Sequence, residues 1–330
     1  MLERMRSRLL LTTGALLLTL SACGGGDEPA PDPQHKDGAS NVAVVNPLTG
    51  IKLAKAPKNP VFVVKIDNTP PSAPQTEIDK ADLVVEQLVE GGATRLAALY
   101  YSKLPENVGH VRSMRATDIG IAKPVNGQIV ASGGAGVTIS RIKSAGIPIH
   151  SEDGGSPGLS RGPGYAPYNV LANLKTVNEE AVNTPPAHAY FQWAAANATT
   201  PTGTKASNVS VPFSRSHTTT FSFQNGTWKR TNGTSEKEFA AKNLVVLWAD
   251  EQDAGYTDPA GSPVPETVFD GTGKAVVFVG KNRIDGTWKK AGKGATIVLT
   301  AKDGTEFKLP AGSTWIELLS KSQAGELTVN

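Results

Sequence analysis

The pattern of apolar and polar positions divides the chain into four stretches. Residues 9–20 form the first apolar run, LLLTTGALLLTL, preceded by Arg4, Arg6 and Arg8. A run this short has the length of a secretory signal rather than of a membrane span. Residues 24–41, GGGDEPAPDPQHKDGASN, then show no apolar periodicity and read as a flexible tether. Alternation begins with VFVVKI at 61–66, a buried strand ending in Asp67 and Asn68. ADLVVE at 81–86 and LAALYY at 96–101 predict two more strands around Gly91-Gly92. Residues 116–123 carry helical spacing, with Ser113 as its candidate N-cap. The strand 129–131, the glycine turn 133–136 and the helix 137–144, closed by Gly146, repeat the theme. Strands alternating with short helices predict an α/β layer.

The second half has many short strands and almost no helix. FQNGTWKR at 223–230 and RIDGTWKK at 283–290 each place a turn dipeptide before a strand series, the strongest short hairpin signal. With GSTWIELL at 312–319 they predict a smaller antiparallel β domain. The expected class is therefore α+β. Its expected parts are a signal peptide (1–22), a lipidated cysteine and tether (23–45), an α/β domain (46–200) and a β-rich domain (201–330). Trp228, Trp288 and Trp315 are expected to fill cores or cap hairpins rather than to stack on sugars.

The single cysteine sharpens the reading of the N-terminus. Leu20-Ser21-Ala22-Cys23 fits the bacterial lipoprotein box, in which Cys23 takes a diacylglyceryl group before cleavage. Two or three acyl chains such as palmitate, at roughly 0.8 kcal/mol per buried methylene, anchor a protein stably. The expected place is the outer face of the cell membrane. With Cys23 acylated, no internal disulfide, thiolate metal site or catalytic thiol remains. Removing residues 1–22 takes three arginines and one glutamate from 33 basic and 30 acidic residues, leaving 30 and 29. A near-neutral body lacks the basic excess of a nucleic-acid binder.

Catalytic signatures are absent from the sequence. The five histidines do not pair with a nucleophile elbow or at zinc-ligand spacing, and neither the phosphate loop nor the dinucleotide fingerprint occurs. No cofactor or metal is expected, and no catalytic residue is assigned. The loop 151–169, SEDGGSPGLSRGPGYAPYN, is long enough to be functional. Guanidiniums stand out instead. Arg95, Arg112, Arg115 and Arg161 lie near strand ends or loops, and arginine grips phosphate or carboxylate through a two-pronged fork. With Ser113, Asp67, Asn68 and Asn169 they form a candidate ligand site. Arg112 and Arg115 beside a helix N-terminus would oppose the helix dipole unless an anion, or Asp67, Glu86 or Glu90 of this chain, answers them.

KIDN (65–68), ADLVVE (81–86), GGATR (91–95), VRSMR (111–115), APYN (166–169), VFVGKNRIDGTWKK and LPAGSTWIEL together resemble the YerB-like bacterial lipoprotein family. The resemblance implies a two-domain lipoprotein with N- and C-terminal modules and no settled activity. The family pattern carries a histidine near Ala131-Ser132 and another at Tyr168. Neither is present here, which weighs against acid–base catalysis. The expected function is a membrane-tethered module that holds an anionic envelope ligand through the arginines. A protein-interaction scaffold, and a transferase acting on polyprenyl-pyrophosphate-linked glycopolymers, are the alternatives.

Overall fold

The computed structural model describes residues 44–195 and 198–330. Cys23, the signal segment and the tether lie outside the described residues. The N-terminal half contributes β1 (Phe62–Asp67), β2 (Leu83–Leu88), β3 (Thr94–Tyr100), β4 (Val108–Val111), α1 (Asp118–Ala122), β5 (Gln128–Ala131), α2 (Gly136–Ser144), β6 (Ile149–Ser151), β7 (Leu159–Arg161), β8 (Val170–Ala172) and α3 (Leu174–Glu180). The C-terminal half adds β9 (Thr204–Lys205), β10 (Asn208–Pro212), β11 (Thr218–Gln224), β12 (Thr227–Arg230), β13 (Asn243–Ala249), β14 (Glu251–Thr257), β15 (Pro263–Thr267) and β16 (Gly271–Val279). It ends with β17 (Asn282–Lys290), β18 (Val298–Ala301), β19 (Glu306–Phe307), β20 (Thr314–Ser320) and β21 (Thr328–Val329).

One sheet of 15 strands runs through both halves, in the order β19-β18-β17-β16-β13-β20-β2-β3-β1-β4-β8-β7. β5 and β6 branch from β1, and β9 pairs with β17. A four-stranded sheet, β12-β11-β10-β21, and the hairpin β14-β15 complete the fold. Of the described residues 41% are strand and 12% helix, a β-rich composition that corrects the α+β expectation. The helices of the first half are real but short, so they cover only part of the sheet.

β1, β2 and β20 are buried on both faces because each face meets a core. Val63, Val85 and Ile316 point to the side covered by α1 and α2, with Ile119 and Ile142 opposite them. Val64, Val84 and Trp315 point to the side covered by α3 and the four-stranded sheet, against Val177, Phe221 and Trp228. Each such fully buried apolar side chain contributes about 1.5–3 kcal/mol. The two-residue period of a strand thus sorts neighbouring residues into two different environments.

Asn225 (φ 50°) and Gly226 (φ 80°) join β11 to β12 with both residues left-handed, as that sequence predicts. The matching dipeptide does not turn. Asp285 and Gly286 sit within β17, paired with Val276 and Ala275, and the chain turns earlier at Gly280 (φ 54°) and Lys281. Gly286 is needed there for space, since a Cβ would lie 2.0 Å from the Thr300 carbonyl oxygen. The antiparallel expectation also fails at β20, which is parallel to both β13 and β2. Helix α1 begins at Asp118, so Ser113 is not an N-cap and residues 112–116 form no helix. The 151–169 loop is interrupted by β7, which pairs with β8. Trp228, Trp288 and Trp315 are buried, and their indole N–H groups donate to Gly280 O, Trp248 O and Glu317 Oε1 at 2.9, 3.0 and 3.0 Å.

Candidate functional site

β1 begins apolar and ends Lys65-Ile66-Asp67, and the parallel strands β1, β5 and β6 end along one edge of the sheet. That edge, beyond the carboxyl ends of parallel strands, is where α/β sheets commonly hold ligands. Residues 112–114 cross it. Arg112 N donates to Lys65 O at 2.8 Å, Ser132 N to Arg112 O at 3.1 Å, and Met114 N to Gly133 O at 2.9 Å. The GHVRSMRATD stretch is thereby tied to the ends of β1 and β5.

On the helix-covered face Lys65 Nζ meets Asp118 Oδ1 at 2.7 Å, with both side chains fully buried. Gln87 Nε2 and the Arg115 N–H also donate to Asp118, at 2.8 and 2.7 Å. Burial lowers the Lys65 ammonium to about 8 although Asp118 pulls the other way. Arg115 grips Glu90 with Nε (2.8 Å) and its terminal nitrogen, and donates to Met114 O at 2.9 Å. Arg95 donates to Ser113 O at 2.9 Å and reaches Glu90 at 3.8 Å. Burial, then the charge of Arg115, lowers the Arg95 guanidinium to about 10. Burial pushes the Glu90 carboxyl up, but the Arg115 bonds and charge outweigh it and hold the group below its usual range. Arg112 Nε lies 2.8 Å from Asp67 Oδ2 but off the hydrogen-bond direction, and its guanidinium stacks 4.9 Å from the Tyr168 ring centre.

Asp67, Arg95, Arg112, Ser113 and Arg115 therefore converge. Ser113 and Arg115 line a cleft of about 470 Å³, with Gly134 and Asp153 beside them and Tyr256 and Asp258 of the β14-β15 hairpin opposite. The Thr138 hydroxyl bonds Tyr256 OH at 2.9 Å, and Arg141 bonds Glu266 at 2.6 Å, so α2 pins that hairpin over the edge. The other predicted residues go elsewhere. Arg161 bonds Asn169 and Glu152, each at 3.1 Å, and Asn169 donates to Gly162 O and Gly164 O, which braces the loop carrying Tyr168. Asn68 faces the other side of the sheet. Among the described residues no cluster of three or more His, Cys, Asp and Glu is placed to hold a metal ion.

Asn68 leads to a second polar cluster that the sequence reading missed. Glu86 Oε1 accepts from Asn68 Nδ2 (3.0 Å), Thr94 Oγ1 (2.7 Å) and Thr219 Oγ1 (2.9 Å), and His217 Nε2 lies 3.0 Å away. Arg230 donates to Asn68 Oδ1 (2.9 Å), Gln75 Oε1 (2.6 Å), Ser235 Oγ (2.8 Å) and Glu238 Oε2 (2.9 Å), and stacks on Trp315. Asn68, His217 and Arg230 line a cleft of about 270 Å³ where the two halves meet. The available signal was a charge inside an apolar strand, Glu86 in LVVEQL and Glu317 in TWIELLS.

Two family models match the chain: "Protein of unknown function (DUF3048) N-terminal domain" over residues 48–187 and its C-terminal domain over residues 209–316. The chain is 43% identical over 86 residues to the protein named Putative lipoprotein YerB of Bacillus subtilis (strain 168), a match spanning 25% of this chain and 26% of that relative. The crystal structure of the Bacillus subtilis YerB protein superposes with a TM-score of 0.71 at 23% identity, covering 86% of this chain and 99% of that one. That likeness is one of fold. The two domain matches, in order and spanning both halves of the sheet, show that this chain belongs to the YerB-like two-domain family.

Proposed function

We propose that the protein is an extracytoplasmic lipoprotein, anchored through Cys23, whose strand-edge cleft binds an anionic component of the cell envelope. The lipoprotein box around Cys23 and the lipoprotein name of the Bacillus relative support the anchor. Among the described residues no helix is long and apolar enough to cross a membrane.

One observation carries the ligand class. Four cations, Lys65, Arg95, Arg112 and Arg115, face only three carboxylates, Asp67, Glu90 and Asp118, in a cluster that is mostly buried. An excess buried positive charge is costly until an anion neutralises it. Arg115 and Ser113 open that buried cluster to the cleft, whose other walls carry Asp153 and Asp258, so the positive excess is confined to the Arg115 wall. The fitting ligand carries a carboxylate or phosphate toward Arg115 and hydroxyl or ammonium donors toward the aspartates, as muropeptides do.

Thermal-shift titration with muropeptides, pyrophosphate and undecaprenyl phosphate analogues tests this. Stabilisation by at least one, lost in an Arg112→Ala/Arg115→Ala double variant, is expected. No stabilisation by any of them, or an equal shift in the variant, refutes the reading.

A further inference from the structure

β2 and β20 are parallel neighbours, and Glu86 stands directly opposite Glu317. Both side chains are completely buried. Glu317 Oε1 accepts from Trp315 Nε1 at 3.0 Å, and the bonds to Glu86 described above all fall on Oε1. The second oxygen of each carboxyl, Glu86 Oε2 and Glu317 Oε2, is buried with no donor. As register partners on adjacent strands, which run about 4.8 Å apart, the two carboxyl groups leave the same face of the sheet side by side.

Buried polar atoms are almost always hydrogen-bonded, and two facing carboxylates cannot both stay ionised in a dry interior. A single proton between the two orphaned oxygens resolves both difficulties. We propose that Glu317 is a neutral acid that donates its proton to ionised Glu86, so that β2 and β20 meet across a proton-binding site. Glu86 is the ionised member because the donors crowd onto it: Asn68, Thr94, Thr219 and His217. Glu317 has one donor and the negative charge of Glu86 beside it.

The charged groups around the pair are few. β12 supplies Arg230, itself paired with Glu238, and the residue before β11 supplies His217. β3 presents Thr94, and β13 places Val246 opposite Glu317. Burial and then the Glu86 charge raise the Glu317 carboxyl well above its ordinary 4.5. For Glu86 burial works upward, but the His217 bond and charge outweigh it and lower the group. The signs follow. The contribution of Glu317 is complete below pH 4.5 and is lost as pH rises toward its folded value, and that of Glu86 is complete above pH 4.5 and lost on acidification. The joint between β2 and β20 therefore loosens in alkali.

Glu317→Gln tests the site, because glutamine keeps an oxygen for Trp315 and supplies an N–H to Glu86 in place of the proton. The melting temperature of the full chain is followed from pH 5 to pH 9 for both proteins. Near pH 5 the two are expected to match, and wild type is expected to fall relative to the variant by roughly 2–4 °C per pH unit thereafter. A constant offset, or a wild type that gains on the variant in alkali, overturns the proposal. Infrared difference spectra at neutral pH in D2O supply a second measurement, independent of how well the variant folds. A protonated-carboxyl carbonyl band in wild type is expected, and its absence overturns the proposal.

Discussion

The two faces of the same strand ends carry opposite charge imbalances. Toward the helices, four cations meet three carboxylates around residues 112–118. Toward the four-stranded sheet, Glu86, Glu317 and Glu238 surround Arg230, with His217 beside them. The difference lies in what can close each balance. A missing negative charge calls for an anion, which needs an opening, and that face has the cleft at Ser113 and Arg115. A missing positive charge can be supplied by a proton, which needs no cavity. One edge of one sheet thus carries, under the proposed readings, an anion cleft at Ser113 and Arg115 on one side and, beneath the cleft at His217 and Arg230, a fully buried acid pair on the other.

Breaking the buried pair on the helix-covered face has the largest effect. Asp118→Ala strands the Lys65 ammonium with no counter-charge, and a loss of about 3–5 kcal/mol in denaturant unfolding is expected. The Asp118 bonds from Gln87 and the Arg115 N–H are lost with it.

The pH dependence separates the faces by sign. Lys65 falls to about 8 on folding from 10.5, so between those values the unfolded chain binds more protons and stability rises with pH. The slope reaches about 1 kcal/mol per pH unit, opposite to the alkaline loss from Glu317. Unfolding measured across that window is expected to lose its rising component in Lys65→Met, leaving the alkaline fall from Glu317 exposed. A Lys65→Met curve parallel to wild type would remove the distinction between the faces.

Smaller effects probe the arginines. Arg112→Ala brings the cationic cluster to charge balance, and an affinity loss of about threefold to tenfold for the anion is expected in calorimetric titration. Its cost to stability is expected to stay under about 1 kcal/mol, because the guanidinium is partly exposed and its bond to Asp67 is misaligned. Tyr168→Leu removes only the ring stacked on Arg112, worth about 0.5 kcal/mol, and is expected to weaken the same anion about twofold.

Much of the local structure was legible in the residues. The β1 strand with its polar end, the glycine turn into α2, and the Asn225-Gly226 hairpin follow from period and turn chemistry. Asp285-Gly286 was misleading because the same signal is overridden when a strand must continue. β17 runs nine residues between β16 and β18, and ladder pairing along that length outweighs a local turn preference. The arginine site was half legible. Asp67, Arg95, Arg112, Ser113 and Arg115 do gather at one edge, and the expected carboxylates Asp67 and Glu90 do meet Arg112 and Arg115, whereas the placing of Glu86 and Asn68 on the opposite face depends on which strands are neighbours. His217 had no local signal, since its partner Glu86 is 131 residues away in the chain.

The sequence by itself determined the kinds of group available and the sides of each strand on which they fall, because a period of two is a property of the backbone. It also carries Leu20-Ser21-Ala22-Cys23, a candidate lipoprotein box that needs no partner to be read. Only the tertiary structure decided which charges meet. The insertion of β20, parallel, between β13 and β2 sets Glu317 opposite Glu86 and brings His217 and Arg230 over them. Register between strands more than 200 residues apart is chosen by the packing of whole faces, and no short stretch of residues encodes it.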